Sequence, residues 1–450
     1  MQSCGNVVPS FTTKDQIVSR LINKDIIVIV GGLSSGRHIA PLFNGLGFSC
    51  VHVCTVDVVE HPILKPTFNP LDYAENHLLA SENEAADFVS RMEGRHVKAV
   101  IAGCEPCVLF ADKLAEMLDT PRNIGALSAA RRSKYLMHET LRRSGLKSAR
   151  QLLSDDLQEI YAFHDRIGAK IVLKPEASAN TDGVYYCSTR QQIADAFDRI
   201  LGAKSFYDDF SGINTKVLVQ EYLTGKQYLV NTLSSEGHHY VCDAWGEVRE
   251  NDDAPSNDSY ADLVNPKTAL HRSLSDYVGH VCDALGIRYG AAHFELRMTD
   301  EGPCLIEVGA RMSGNVDFSV LHDTHSLTQL SLLPDAMLDT EAFVARTRTA
   351  SSNTKSARKV YLSSDMTGDV VREPDLNLLF NVGTVRSVLF RVANGERLYK
   401  TDRAQGHARP GHLYMVSSDP DEIGRDYERV RRNERLLYET MLRAPEGDLQ

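Results

Sequence analysis

No stretch of this chain approaches the roughly 20 consecutive apolar residues needed to span a bilayer, so no membrane partner is expected. Positive charge is in short supply. Forty-nine Lys and Arg stand against 60 Asp and Glu, a net charge of −11. That balance excludes the basic stripe with which nucleic-acid binders neutralise phosphates. It leaves room for a single nucleotide, whose phosphates need only a few local donors. The opening residues, MQSCGNVVPSFTTKDQ, lack both a basic n-region and an apolar h-region, so no secretory leader is expected. The nine cysteines make an odd count. Cys50, Cys54, Cys187, Cys242, Cys282 and Cys304 lie in or beside apolar runs, and read as small buried side chains of a reducing compartment. A cytoplasmic protein is the expectation. Repeats and low-complexity blocks are absent.

What is present is a long chain with changing texture. Its 450 residues exceed one ordinary core and suffice for about three domains. DIIVIVG (25–31), the turn GGLSSG (31–36), an amphipathic stretch and SCVHVCTVDVV make a β–turn–α–β pattern, which implies a parallel sheet. The pattern resumes at 97–119. Gly31, Gly32 and Gly36 do not match G-x-G-x-x-G, so a structural turn is favoured over a dinucleotide site. Cys104 and Cys107 form a C-x-x-C without a second pair for zinc, and are not read as a redox or metal site. A basic helix follows at 131–146, then alternating helices and strands. Segment 250–266 reads as a polar functional loop, 324–340 as a helix, and 346–358 as a polar linker.

Four segments carry candidate chemistry. Lys134 lies on the basic helix. Lys174 ends a strand just before the small-residue loop EASANTDGV, where backbone N–H groups can approach phosphate oxygens. VQEYLTGKQYLV (219–230) is the third. In the fourth, Glu295 and Glu307 stand on two strands joined by the tight turn Asp300-Glu301-Gly302, five residues from it on either side. Antiparallel pairing then sets two carboxylates side by side. Such a pair repels itself unless a cation lies between, and Mg²⁺ with phosphate oxygens is the common solution. Arg311 offers a rigid fork for phosphate or carboxylate oxygens. The alternative is a surface hairpin closed by a Glu307–Arg311 salt bridge.

In order, a helix lysine, a strand lysine before a small-residue loop, an E-x-L hinge and paired acids ending in E-x-x-x-R resemble the ATP-grasp superfamily. The resemblance runs from about residue 25 to the C-terminus. It implies an α/β and α+β chain: an ATP-grasp fold with an N-terminal doubly wound α/β domain (1–125), an ATP-grasp domain (126–345, lid about 150–225) and a small C-terminal α/β subdomain (346–450). It further implies that Lys134 and Lys174 hold ATP phosphates beneath a lid of Asn180, Thr181, Asp182, Gly183 and Val184. Glu221, Tyr222 and Leu223 would line the adenine. Gln227 stands near the ribose, where many members have Glu. Glu295 and Glu307 would bind Mg²⁺ or Mn²⁺, and Arg311 would be catalytic. Gly309 stands where many members have Asn.

Within the superfamily, GAAHFEL…LIEVGARMSG looks most like the L-amino-acid ligases, dipeptide synthetases of the bacilysin and dapdiamide type. His293, Arg311, Ser313 and Gly314 then become substrate contacts, with Asp262 of the polar loop holding a substrate ammonium. The implied activity is ATP-dependent amide-bond formation between a carboxylate and an amine substrate, both amino acids, through an acyl phosphate and releasing ADP and phosphate. A bicarbonate-phosphorylating carboxylase and a non-catalytic nucleotide-binding module are the alternatives. No nucleic-acid partner is implied, and a homodimer is among the expected assemblies.

Overall fold

In the computed structural model, residues 25–176, 183–204, 212–249, 258–314, 316–324, 327–350, 355–401 and 409–442 are described. Strands β1 (Ile26–Val30), β2 (Ser49–Thr55), β3 (Glu75–Leu79) and β4 (Val97–Ala102) form a parallel sheet in the order β3-β2-β1-β4. The β-branched run of β1 is buried on both faces, as a covered parallel strand must be. Ile26, Val28 and Val30 enter one core, with Phe88 and Leu114. Ile27 and Ile29 enter another, which continues into Leu332, Leu333 and Ala336 of the later helix Gln329–Leu338. The N-terminal sheet is therefore welded to the rest of the molecule by an apolar core.

The glycines of the 31–36 turn have a packing reason. A Cβ on Gly36 would meet the Gly103 backbone at 2.5 Å, and one on Gly103 would meet the Gly31 carbonyl oxygen at 2.2 Å. All eight described cysteines are buried and free, as their apolar settings imply.

The next unit is small. Strands β5 (Gln151–Ser154), β6 (Ile171–Lys174), β7 (Tyr185–Cys187) and β8 (Val217–Glu221) form an antiparallel sheet in the order β5-β8-β6-β7. Helices Leu157–Ile167 and Arg190–Ile200 cover it through Ile160, Phe163, Ile193 and Phe197. A capping box between Thr189 and Gln192 starts the second helix.

The largest sheet has eight strands. These are β9 (Lys226–Ser235), β10 (His238–Arg249), β11 (Asp258–Leu263), β12 (Gly290–Thr299), β13 (Gly302–Gly309), β14 (Ser356–Leu362), β16 (Val385–Phe390) and β18 (Gly411–Ser417). Their order is β13-β12-β9-β10-β11-β14-β18-β16, while β15 (Gly368–Asp369) and β17 (Arg397–Leu398) pair separately. C-terminal strands thus extend the central sheet. The helix Pro420–Leu442 packs on one side of the extension, against Val360, Leu362, Leu413 and Met415.

Three local expectations change. Residues 258–263 of the supposed loop are strand β11, because Ala261 alternates into the core between β10 and β14; 250–257 lie outside the described residues. The supposed linker is the end of the helix Thr340–Thr349 and the start of β14, with 351–354 outside the described residues. The helix expected over 324–340 is replaced by Phe318–Thr324 and Gln329–Leu338, the second started by a Thr328–Ser331 capping box.

A buried arginine clamps the N-terminal unit to the central one. Arg131 is fully buried and donates from Nε and Nη2 to Asp112, at 3.2 and 2.7 Å. From Nη1 it reaches the carbonyls of Ile124 and Leu285. Removing one partner of such a pair strands the other. Arg131→Leu should therefore lower stability by about 3–5 kcal/mol, read as a shifted urea midpoint; an unchanged midpoint would show that the clamp carries no weight.

Candidate active site

The hairpin geometry places Glu295 and Glu307 as direct cross-strand partners on β12 and β13. Side chains so paired stand about 5 Å apart at Cβ. Lys134 Nζ lies 2.9 Å from Glu307 Oε2. Lys134 begins the helix Lys134–Arg143, whose N-cap Ser133 accepts the Leu136 N–H at 3.1 Å. The Ser133 hydroxyl also donates to Glu176, and the Lys134 N–H donates to the Glu176 carbonyl at 3.3 Å. Glu176 follows Lys174 by two residues, so both lysines are held by one short segment.

Charge in this cluster is mutually dependent. Burial pushes the Glu295 carboxyl up to about 8, with the Glu307 charge and then Glu247 adding to the shift. Burial also opposes ionisation of Glu307, but Lys134 and Lys174 outweigh it and hold that carboxyl low. Lys174 is 5% exposed. Burial and the neighbouring Lys134 lower its ammonium to about 8, against the pull of Glu307 and Glu295. Two acids and two cations thus share one largely buried place, each setting the charge of the others.

Around this centre the other expected residues are distributed unevenly. Asn180, Thr181 and Asp182 lie outside the described residues. Gly183 adopts a left-handed φ of 68°, and a Cβ there would meet the Pro175 ring at 2.9 Å. Val184 leads into β7. The Glu221 carboxylate takes the Arg150 N–H and Nε, each at 2.7 Å, so it ties β8 to the residue before β5. Tyr222 stacks edge-on against Tyr186 at 5.7 Å, with the Lys170 ammonium 5.0 Å from its ring, and Leu223 follows it between β8 and β9. The Gln227 amide donates to Glu295 at 3.4 Å, which sets it beside the paired acids.

Asp262 is not available in the way its loop reading implied. It lies on β11, and Arg358 of the adjacent β14 grips its carboxylate with Nε at 2.7 Å and Nη2 at 3.0 Å. A bidentate pair of this kind already satisfies the acid.

Arg311 is not bridged to Glu307. Its Nε lies 2.8 Å from Glu105 of the N-terminal unit, and its Nη1 donates to the Met312 carbonyl at 3.0 Å. Glu105 also lies 3.8 Å from Arg132. Sequence reasoning missed Glu105. Its one available signal was position: it follows β4, at the carboxyl end of a parallel strand, where ligands of doubly wound sheets bind. The Gly309 departure now has a cause. A Cβ at 309 would stand 2.3 Å from Glu105 Oε2 and 3.3 Å from Arg311 Cζ. Ser313 is buried, its N–H donating to Gln329 at 3.2 Å, and Gly314 lies near the Ser34 hydroxyl.

Sequence reasoning also missed Asn231 and Asp243, which orient His293. The Asn231 amide donates to Asp243 Oδ1 at 2.5 Å, so its carbonyl oxygen faces His293 Nδ1 at 2.7 Å. Trp245 Nε1 donates to the same Asp243 oxygen at 2.7 Å. Burial, aided by Arg311, lowers His293 to about 3. The imidazole is neutral, its Nδ1 proton is committed to Asn231, and Nε2 keeps a lone pair.

A family model described as an ATP-grasp domain matches residues 167–318. The chain belongs to the ATP-grasp family and is an ATP-dependent ligase. Dapdiamide A synthase of Enterobacter agglomerans is 32% identical over 429 residues, covering 94% of this chain and 98% of that protein. Two solved structures share the fold. An L-amino acid ligase from Bacillus licheniformis matches with a TM-score of 0.71 at 18% identity, over 91% of this chain and 98% of that one. An N5-carboxyaminoimidazole ribonucleotide synthetase from Thermotoga maritima matches with a TM-score of 0.60 at 13% identity, over 93% and 99%.

The packing of Glu105 over Gly309 is testable without substrate. Gly309→Ala should cost about 1–3 kcal/mol through overpacking. In a Glu105→Ala background the same change should cost markedly less, because the opposing carboxylate is gone. Urea denaturation of the four proteins measures the coupling; strictly additive losses would contradict the contact.

Proposed function

We propose that the enzyme phosphorylates the carboxylate of one amino acid with ATP and joins the acyl group to the amine of a second, releasing ADP and phosphate. One observation carries this reading: the paired acids, two lysines, Arg311 and neutral His293 converge beside one another on the central sheet and its flanking segments. The family supplies the reaction class. The name of the dapdiamide relative supports an amide product, and that of the Bacillus neighbour supports amino acids as substrates.

Lys134 and Lys174 are the phosphate contacts in this reading. They come from different elements, the start of a helix and the end of β6, and meet near the paired acids. Glu295 and Glu307 would hold Mg²⁺, for which two adjacent carboxylates at a phosphate site are an apt hard-oxygen donor set. When bound, the ion neutralises phosphate charge and fixes the phosphate oxygens. Arg311, propped by Glu105, presents its guanidinium where the substrate carboxylate takes up the phosphoryl group. A planar fork there stabilises charge that spreads over oxygens during transfer. His293 can accept a hydrogen bond at Nε2 from the attacking amine and so orient it, since its other nitrogen is committed.

Two measurements test this. Stoichiometric ADP and phosphate are expected with a productive pair of amino acids, found by screening pairwise mixtures for new amides by mass spectrometry. AMP and pyrophosphate would overturn the acyl-phosphate route. Glu307→Gln keeps the shape but removes a charge, and should cut turnover by about a hundredfold or more. Raised Mg²⁺ should restore part of that loss; near-normal turnover would reduce Glu307 to a partner of Lys134.

A further inference from the structure

The same sheet face continues well past the phosphate centre. One cross-strand row runs Trp245–Leu229–Glu295–Glu307 over β10, β9, β12 and β13. Another runs Glu247–Ala261–Lys359–Tyr414 over β10, β11, β14 and β18. Trp245 and Glu247 are two apart on one regular strand, so both rows point to the same side. The face that carries the paired acids therefore carries Lys359.

Lys359 is unlike a surface lysine. Its Nζ lies 5.6 Å from the ring centres of both Tyr361 and Tyr414. Arg409 Cζ stands 4.8 Å from the Tyr361 ring, and the Tyr361 hydroxyl donates to Glu247 at 3.1 Å. Burial lowers the Lys359 ammonium to about 8, with Arg391 and Arg409 pushing further down and Glu247 and Asp243 pulling up. Lys359 and Arg409 thus sit at aromatic walls, with Arg391 near enough to act on the Lys359 charge, four strands across the sheet from β12. Trp245 and Tyr414 belong to a small core on this same face, with Val316 and Phe318 of the segment after Arg311 packed on it.

Between this cluster and the reacting centre stands Asp243. Its Oδ1 is used by Asn231 and Trp245, whereas its buried Oδ2 has no hydrogen-bond partner among the described residues. Moving outward from His293, the face thus presents the Asp243 carboxylate and then three cations with the carboxylate of Glu247 among them.

We propose that Lys359, with Arg391 and Arg409, binds the carboxylate of the amine-donating amino acid. The proposal rests on the ligase reading. The acyl donor gives up its carboxylate charge to phosphorylation, so its counter-charge belongs at the phosphate centre. The amine donor keeps its carboxylate throughout, as the C-terminus of the product. It needs a permanent cation on the side away from the phosphates. An amino acid lying with its amine toward Asp243 and His293 and its carboxylate toward Lys359 meets the face charge for charge.

The test uses the full chain. Acyl donors are first found by ATP-dependent acyl-hydroxamate formation with hydroxylamine across the twenty L-amino acids. Each L-amino acid and its carboxamide are then compared as amine donors. The wild type should prefer the acid by about tenfold or more in kcat/KM, as loss of a charge-assisted contact implies. Lys359→Met should erase that preference by raising KM for the acid, while KM for the carboxamide and hydroxamate formation change little. Arg409→Gln should act in the same direction and serves if Lys359→Met does not fold. Equal use of acid and carboxamide by the wild type, or a preference that survives Lys359→Met, overturns the proposal. Hydroxamate formation without the preference leaves the ligase reading standing; absence of hydroxamate with every donor removes that reading itself.

Discussion

Two carboxylates forced together on neighbouring strands set the terms for the rest of this molecule. The register of β12 and β13 leaves Glu295 and Glu307 no way to separate. Burial pushes Glu295 toward the neutral form, with the charge of Glu307 adding to it, while Lys134 and Lys174 keep Glu307 ionised against the same burial. Those lysines come from elsewhere in the chain. Lys134 starts a helix and Lys174 ends a strand of the small sheet, and Glu176 links the two segments. Docking the small sheet on the large one is thereby coupled to neutralising the paired acids.

Around that centre, neighbours from distant segments fix each candidate group. Glu105 reaches from the N-terminal unit to Arg311, and only a glycine at 309 leaves it space. Asn231 and Asp243 settle the tautomer of His293. The N-terminal unit is thus more than an attachment. Its core is continuous with the helix Gln329–Leu338, and its acid supports the arginine of the site.

Some of this was legible in the sequence. Glu295 and Glu307 stood out because a tight turn midway between two acids fixes their pairing from local information alone. Lys174 was marked by a strand meeting a small-residue loop, and the β-branched run at 26–30 announced a covered parallel strand. Glu105, Asn231, Asp243 and Lys359 were not legible, since each gains its meaning from a strand partner or a unit far away in sequence. Asp262 shows the opposite error. A polar, Asp-rich segment suggested a loop, but sheet pairing with β14 placed Arg358 opposite it and used up the acid. Arg311 was found by its spacing from Glu307, but spacing could not reveal that Glu105 would be its partner.

The central claim is that a substrate carboxylate takes the phosphoryl group directly, at the place where the paired acids, lysines and Arg311 meet. Oxygen transfer tests this most directly. With the acyl donor labelled by ¹⁸O in its carboxylate, one labelled oxygen should appear in the released inorganic phosphate, read by the isotope shift in ³¹P NMR. Label found in AMP, or phosphate free of label while amide accumulates, would contradict the account.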